Sequence, residues 1–261
     1  MIIDFHVHVS SRRGCMRELL KAMDKNGIDM AVIFDCGNNE TVFKMQKAHA
    51  DRFIPFGYLR WGADDPKGID ELAERGIKGL KVIRPTCNYN DPRLFPYYAR
   101  AEQHGLPTLF HTGIVARGQR NVPSYDDTSR MQVMWLDGPC RMFPKLNIIT
   151  AHMGNPDHEQ GSMLARWHPN FYFDLSGSSM LHRSHDFFRE LFWWDKPTRF
   201  SGRNPWRPFE KMVFATDEPY EQMHEPMAEQ LALLKALGQP KSIIDKVFGG
   251  TAARLLGMGD S

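Results

Sequence analysis

Five side chains in this 261-residue sequence carry metal-ligand chemistry at positions where they could meet. Near the start, Asp4-Phe5-His6-Val7-His8 sets two imidazoles two residues apart. In an extended strand such residues project from one face, so His6 and His8 point one way and Val7 the other. Further on, Leu109-Phe110-His111, Thr150-Ala151-His152 and Phe214-Ala215-Thr216-Asp217 each end an apolar run on a histidine or an aspartate. Imidazole nitrogen and carboxylate oxygen suit a borderline divalent ion such as zinc, and a catalytic site keeps one position open for water or substrate. Three histidines and one aspartate supply such a shell. An HxH pair alone arises by chance in many strands. Four histidines and an aspartate at strand ends are a sharper signal, because burying that many polar groups without a common partner is costly.

The elements that must position these groups are short apolar runs alternating with longer amphipathic ones. Strands are expected at Met1–Val9, Asp29–Phe34, Phe53–Leu59, Ile77–Ile83, Pro107–His111, Leu146–His152, Asn170–Leu175 and Lys211–Thr216. They are rich in Ile, Val, Phe and Leu, as strands buried on both faces of a parallel sheet should be. Helical patterns lie between them: Met16–Asn26 stopped by Gly27, Asn39–Ala50, Ile69–Arg75, Pro92–His104 stopped by Gly105, Glu221–Leu237 stopped by Gly238, and Ser242–Leu256. Eight strands, each followed by helical sequence, predict an α/β fold: a single-domain (β/α)8 TIM barrel spanning residues 1–261. The candidate ligands then gather at the C-terminal mouth of the barrel, where active sites of this fold sit. Two long connections leave the same mouth. Thr112–Lys145 carries Arg117, Arg120, Tyr125 and Trp135, and Ser176–Glu210 carries His182, His185, Trp193, Trp194, Arg203 and Trp206.

Further motifs accompany the ligands: Gly79-Leu80-Lys81-Val82, Leu106-Pro107 ahead of Phe110-His111-Thr112-Gly113, Phe173-Asp174-Leu175-Ser176-Gly177, and the closing Gly249-Gly250-Thr251-Ala252-Ala253-Arg254-Leu255-Leu256-Gly257. Over nearly its whole length the sequence resembles the amidohydrolase superfamily, and within it the amidohydrolase-related branch that includes aminocarboxymuconate-semialdehyde decarboxylase. The resemblance implies that His6, His8, His111 and Asp217 hold the metal, with Asp217 also taking part in catalysis. It implies that His152 stands beside the metal-bound water as general acid/base. A divalent ion lowers the pKa of its water towards about 7, and a neutral imidazole in reach can take or return that proton. One zinc ion is the expected cofactor; manganese, cobalt or iron suit the same ligands.

Lys81 leaves alternatives open. In two-metal members of the superfamily, a lysine on that strand is carbamylated and bridges both ions, in which case His111 and His152 would hold the second. Otherwise Lys81 binds a substrate carboxylate, or is a charged residue of the barrel. Arg84 follows closely, and its guanidinium fork matches a carboxylate, so Lys81 and Arg84 are the candidate substrate-binding pair. Arg12 and Arg13 in the loop after the first strand are read as solvated, Asp174 as structural, and Glu218 as a partner for a ligand histidine or a solvent-facing residue.

The expected activity is metal-dependent hydrolysis of a small, carboxylate-bearing amide, ester or lactone. The alternative on the same ligands is non-oxidative decarboxylation of an aromatic or unsaturated acid, and a non-catalytic barrel is the third reading. The partner is therefore a small molecule. Net charge is +2, without a basic block, which argues against nucleic acid. No apolar run approaches the roughly 18 residues that span a bilayer. Cys15, Cys36, Cys87 and Cys140 form no CxxC pair, and Ile2-Ile3-Asp4-Phe5 opens the chain without a secretory pattern, so a cytoplasmic location is expected. A homodimer remains open.

Overall fold

The computed structural model describes residues 1–115, 127–195 and 207–259. Arg117, Arg120, Tyr125, Arg203 and Trp206 of the two long connections lie outside the described residues. Seven parallel strands pair in chain order: β1 (Ile3–His8), β2 (Met30–Phe34), β3 (Phe53–Tyr58), β4 (Gly79–Val82), β5 (Thr108–Phe110), β6 (Ile148–Thr150) and β7 (Phe171–Phe173). Helices α1 (Cys15–Asn26), α2 (Asn39–Ala48), α3 (Gly68–Glu74), α4 (Phe95–Gln103), α5 (Asp137–Met142) and α6 (His158–Trp167) fill the successive crossovers. After β7 come α7 (Ser178–Leu181) and α8 (His185–Leu191), and the chain closes with α9 (His224–Ala236), α10 (Lys241–Asp245) and α11 (Thr251–Leu255).

The expected eighth strand takes its place in the ring without a regular ladder. Toward β7, Phe173 N–H donates to Lys211 O at 3.1 Å and Val213 N–H to Phe173 O at 3.0 Å. Toward β1, Phe5 N–H donates to Phe214 O at 2.9 Å and Asp217 N–H to His6 O at 3.0 Å. The curled sheet is thus closed into a barrel. The ladder is interrupted because two amides of this segment are drawn elsewhere. Phe214 N–H goes to Val247 O, and Thr216 N–H goes to the Asp4 carboxylate. Val247 lies in a π turn (Lys246–Gly250), which also splits the expected Ser242–Leu256 helix into α10 and α11. Gly249 there lies against the chain start: a Cβ would sit 2.2 Å from Met1 O.

Two apolar layers hold the barrel. Ile3, Phe5, Val32, Phe34, Ile54, Phe56, Leu109, Ile149, Tyr172 and Val213 fill the interior, while Val7, Ile33, Leu80, Val82, Phe110, Ile148 and Phe173 pack outward against the helices. Alternation along β1 would send His6 outward if Ile3 and Phe5 face in. A bulge resolves this: between Asp4 and Val7, three steps on β1 match two on β2 (Ala31 to Ile33). The extra residue shifts the phase, so Phe5, His6 and His8 are interior and Val7 remains outside. No helix among the described residues is long and apolar enough to cross a membrane, and the four cysteines are free.

Candidate metal centre

The C-terminal ends of β1, β4, β6 and β7 and the Thr216–Asp217 end converge on one polar cluster. Ligand atoms of His6, His8 and Asp217 lie within 4.8 Å of one another. Both ring Nε2 atoms approach the same oxygen: Asp217 Oδ1 is 3.4 Å from His6 and 3.3 Å from His8. His152 Nε2 stands 3.5 Å from Asp217 Oδ2. His6 is fully buried, whereas the His8 side chain is 50% exposed and that of Asp217 19%, so the cluster opens toward solvent on the His8 side.

His111, expected as the fourth ligand, stands outside that trio. Its ring packs against His152 with centroids 5.0 Å apart, and its Nε2 is buried without a hydrogen-bond partner among the described residues. Lys81 is inside the barrel at 0% exposure, with Nζ 3.0 Å from His6 Nε2 and above the Phe34 ring. Arg84 ends the turn after β4 in a left-handed backbone conformation at φ 53°, with its charge felt by Tyr58 and Cys36. Of the loop histidines, His182 lies close enough for its charge to act on Glu218, while His185 lines a separate crevice with Leu175 and Glu229. Arg12 is turned to Glu18, away from the centre.

Asp174, read from sequence as structural, orients two of the site histidines. Its Oδ2 accepts from His6 Nδ1 at 3.0 Å. Its Oδ1 accepts from His152 N–H at 2.8 Å, Ser176 N–H at 3.0 Å and Ser176 Oγ at 2.7 Å. A proton fixed on His6 Nδ1 leaves Nε2 as a lone-pair donor facing Asp217 and Lys81. His152 is held the same way, its Nδ1 donating to Ser176 O at 3.0 Å. The signal in the sequence was the Asp-Leu-Ser-Gly end of β7, which places a carboxylate two residues before a serine at the barrel mouth.

Electrostatics set the protonation states a cation needs. Burial pushes His6 and His111 below the ordinary histidine range, and the partial burial of His8, with His6 and Lys81 beside it, lowers that ring as well. These rings are neutral donors. Burial would raise the carboxyls of Asp217 and Asp174, but both are held below their usual range: Asp174 by the hydrogen bonds it accepts from His6 and the His152 amide, Asp217 by the imidazoles and the Lys81 amine around it. Burial also lowers Lys81, against the pull of Asp217. Neutral imidazoles, an ionised carboxylate and the orphaned nitrogen of His111 fit a divalent cation. A charged Lys81 would repel such an ion; a neutral or carbamylated one would not.

The four non-glycine residues with left-handed backbone among those described are Arg84, His152, Met153 and Asp217, at φ 53°, 62°, 47° and 49°. All lie at this mouth. Such conformations cost on the order of 1–3 kcal/mol each and persist where surrounding structure imposes them. Here they turn the chain so that strand-end side chains face the axis.

The fold is shared with solved structures of low sequence identity. An uncharacterised TIM-barrel protein from Bordetella bronchiseptica superposes with a TM-score of 0.74 at 21% identity, covering 98% of both chains. The 2,6-dihydroxybenzoate decarboxylase from Rhizobium gives 0.68 at 16% identity over 99% of both chains. A dihydroxybenzoic acid decarboxylase from Polaromonas, solved with bound manganese and the inhibitor 2-nitroresorcinol, gives 0.65 at 15% identity over 100% of this chain and 98% of its own. No curated protein sequence matches significantly. The sequence model of the amidohydrolase family matches residues 3–258, which is nearly the whole chain, and the protein belongs to that family of enzymes.

Proposed function

We propose that this protein is a divalent-metal-dependent carboxy-lyase acting on a small aromatic or unsaturated carboxylic acid, with His6, His8, His111 and Asp217 as metal residues and His152 as the proton carrier. The observation that carries the reading is the convergence of the His6, His8 and His152 Nε2 atoms on the single carboxylate of Asp217. The bound ion would supply Lewis-acid polarisation of the substrate oxygens. The zinc expected from sequence and the manganese carried by the Polaromonas decarboxylase both suit these ligands.

The protein's own residues account for the rest. Lys81, beside His6, and Arg84, two residues beyond the end of β4, are the candidate partners of the substrate carboxylate. Ser176 O holds the Nδ1 proton of His152, so proton traffic is confined to Nε2. In the imidazolium form, His152 delivers the Nε2 proton to the substrate carbon as the carbon–carboxylate bond breaks. The electron pair of that bond remains on carbon and carbon dioxide leaves. Asp217 Oδ2 faces the same nitrogen and stabilises the charged ring.

Two of the three structures described above are decarboxylases of hydroxylated benzoic acids that cover at least 98% of each chain, and this favours decarboxylation over hydrolysis. The family assignment favours the second reading, hydrolysis of an amide, ester or lactone on the same residues. The test is carbon dioxide release by the metal-loaded protein against hydroxybenzoates and muconate-like acids. Release that disappears in His152→Ala supports the proposal. Hydrolysis of esters or lactones with no carbon dioxide from any acid would replace it with the second reading.

A further inference from the structure

Beside the metal centre, the loop after β1 opens a separate cleft of about 480 Å³ between the starts of α1 and α2. Arg12, Arg13, Arg17 and Lys44 line it, and no aspartate or glutamate among the described residues does. Arg12 is engaged by Glu18. Arg13, Arg17 and Lys44 are exposed and form no ion pair with a carboxylate among the described residues. Several cations around one concavity raise the local potential and concentrate anions there.

The backbone adds to this. Helix α1 starts at Gly14, which has φ 92° and brings no side-chain acceptor; the Cys15 amide donates to Arg12 O at 3.1 Å, which leaves the Met16 and Arg17 amides as the ones without a backbone partner among the described residues. Open amides and the positive end of a 12-residue helix form an anion site. Thr41 also lines the cleft at 7% exposure; its hydroxyl oxygen, enclosed beneath the cleft surface, has no hydrogen-bond partner among the described residues. On the side nearest the barrel, Cys15 Sγ lies 3.1 Å from Tyr220 Oη, and that hydroxyl donates to His8 O at 2.8 Å. The cleft therefore adjoins the metal centre while sharing none of its candidate ligands.

We propose that this cleft binds a phosphate-type dianion. Two guanidinium forks, an ammonium and a helix start match a tetrahedral oxyanion with several acceptor oxygens. A monocarboxylate would offset only one of the three unpaired charges.

Calorimetric titration of the metal-loaded protein with inorganic phosphate tests the proposal. The comparison is with Arg13→Ala/Arg17→Ala/Lys44→Ala, and with a control, Lys25→Ala/Lys47→Ala/Lys67→Ala, that loses the same charge from exposed positions outside the cleft. The cleft variant is expected to bind phosphate at least about tenfold more weakly, and the control within about twofold of wild type. Crystals soaked in selenate are expected to show selenium anomalous density between Arg13, Arg17 and Lys44. Phenyl phosphate titrated in parallel separates the sources: tighter binding than phosphate points to a phosphate ester, and equal or weaker binding to the free anion. Equal phosphate affinity in the cleft variant, or selenium density only elsewhere, overturns the proposal.

Discussion

Asp174→Asn changes one atom at a fully buried position and should cost the centre much of its metal affinity. Three donors converge on Asp174 Oδ1 and a single ring nitrogen on Oδ2. The amide oxygen of the replacement therefore takes the Oδ1 place, and its NH2 group faces His6 Nδ1. Two donors cannot share that contact. Either the hydrogen bond is lost or His6 moves its proton to Nε2, the atom 3.4 Å from Asp217 and 3.0 Å from Lys81. A protonated Nε2 cannot ligate a cation. The lost bond is one to a charged acceptor, worth about 1.5–3 kcal/mol, which is roughly a 10- to 150-fold change in binding. Outer partners of metal-binding histidines cost about 10–100-fold when replaced, so the two routes agree. The assay is zinc or manganese titration against a competing chelator, with circular dichroism to verify folding. Metal affinity within about twofold of wild type in a folded Asp174→Asn protein would refute the role given to Asp174 and the tautomer given to His6.

The remaining predictions address the proton carrier, the barrel interior and the buried amine beneath it. His152→Ala retains metal and loses turnover, whereas His111→Ala loses metal affinity; metal analysis and rate measurements on both variants check this, and the reverse pattern exchanges their roles. Gly79→Ala places a Cβ 2.3 Å from the Phe56 ring, which should cost about 1–3 kcal/mol and lower Tm by roughly 2–10 °C; an unchanged Tm would contradict the inward register of β4. Burial lowers Lys211 from 10.5 to about 7. Between those values the unfolded chain holds a proton that the folded chain lacks, so stability rises with pH across that window, by at most about 1.4 kcal/mol per pH unit. Urea unfolding from pH 7 to 10 should show a shallower rise in Lys211→Met than in wild type, and identical slopes would refute the assignment.

The sequence made the barrel legible because buried parallel strands read as apolar runs and the chain alternates them with amphipathic helices. Residues at strand ends were equally legible as a group: His6, His8, His152 and Asp217 do meet. What escaped were features fixed by tertiary contacts. The β1 bulge has no local signature, since Phe5 and His6 share the interior only through the register against β2. The eighth strand lost its ladder to Asp4 and to Val247, which lie far from it in sequence. His111 reads like its partners along the chain, yet its nitrogen stands outside the trio of closest ligand atoms. Asp174 resembles any strand-end carboxylate until the donors around it are known. The cation-lined cleft joins Arg13 and Arg17 to Lys44, which belongs to the next helix, so no short motif announces it.

The central claim is tested most directly by anomalous diffraction from crystals of the metal-replete protein. Data collected on both sides of the absorption edge of the loaded ion should give a peak within about 2.0–2.2 Å of His6 Nε2, His8 Nε2 and an Asp217 oxygen. A map with no peak among those three side chains, or with the ion bound only elsewhere, would contradict it.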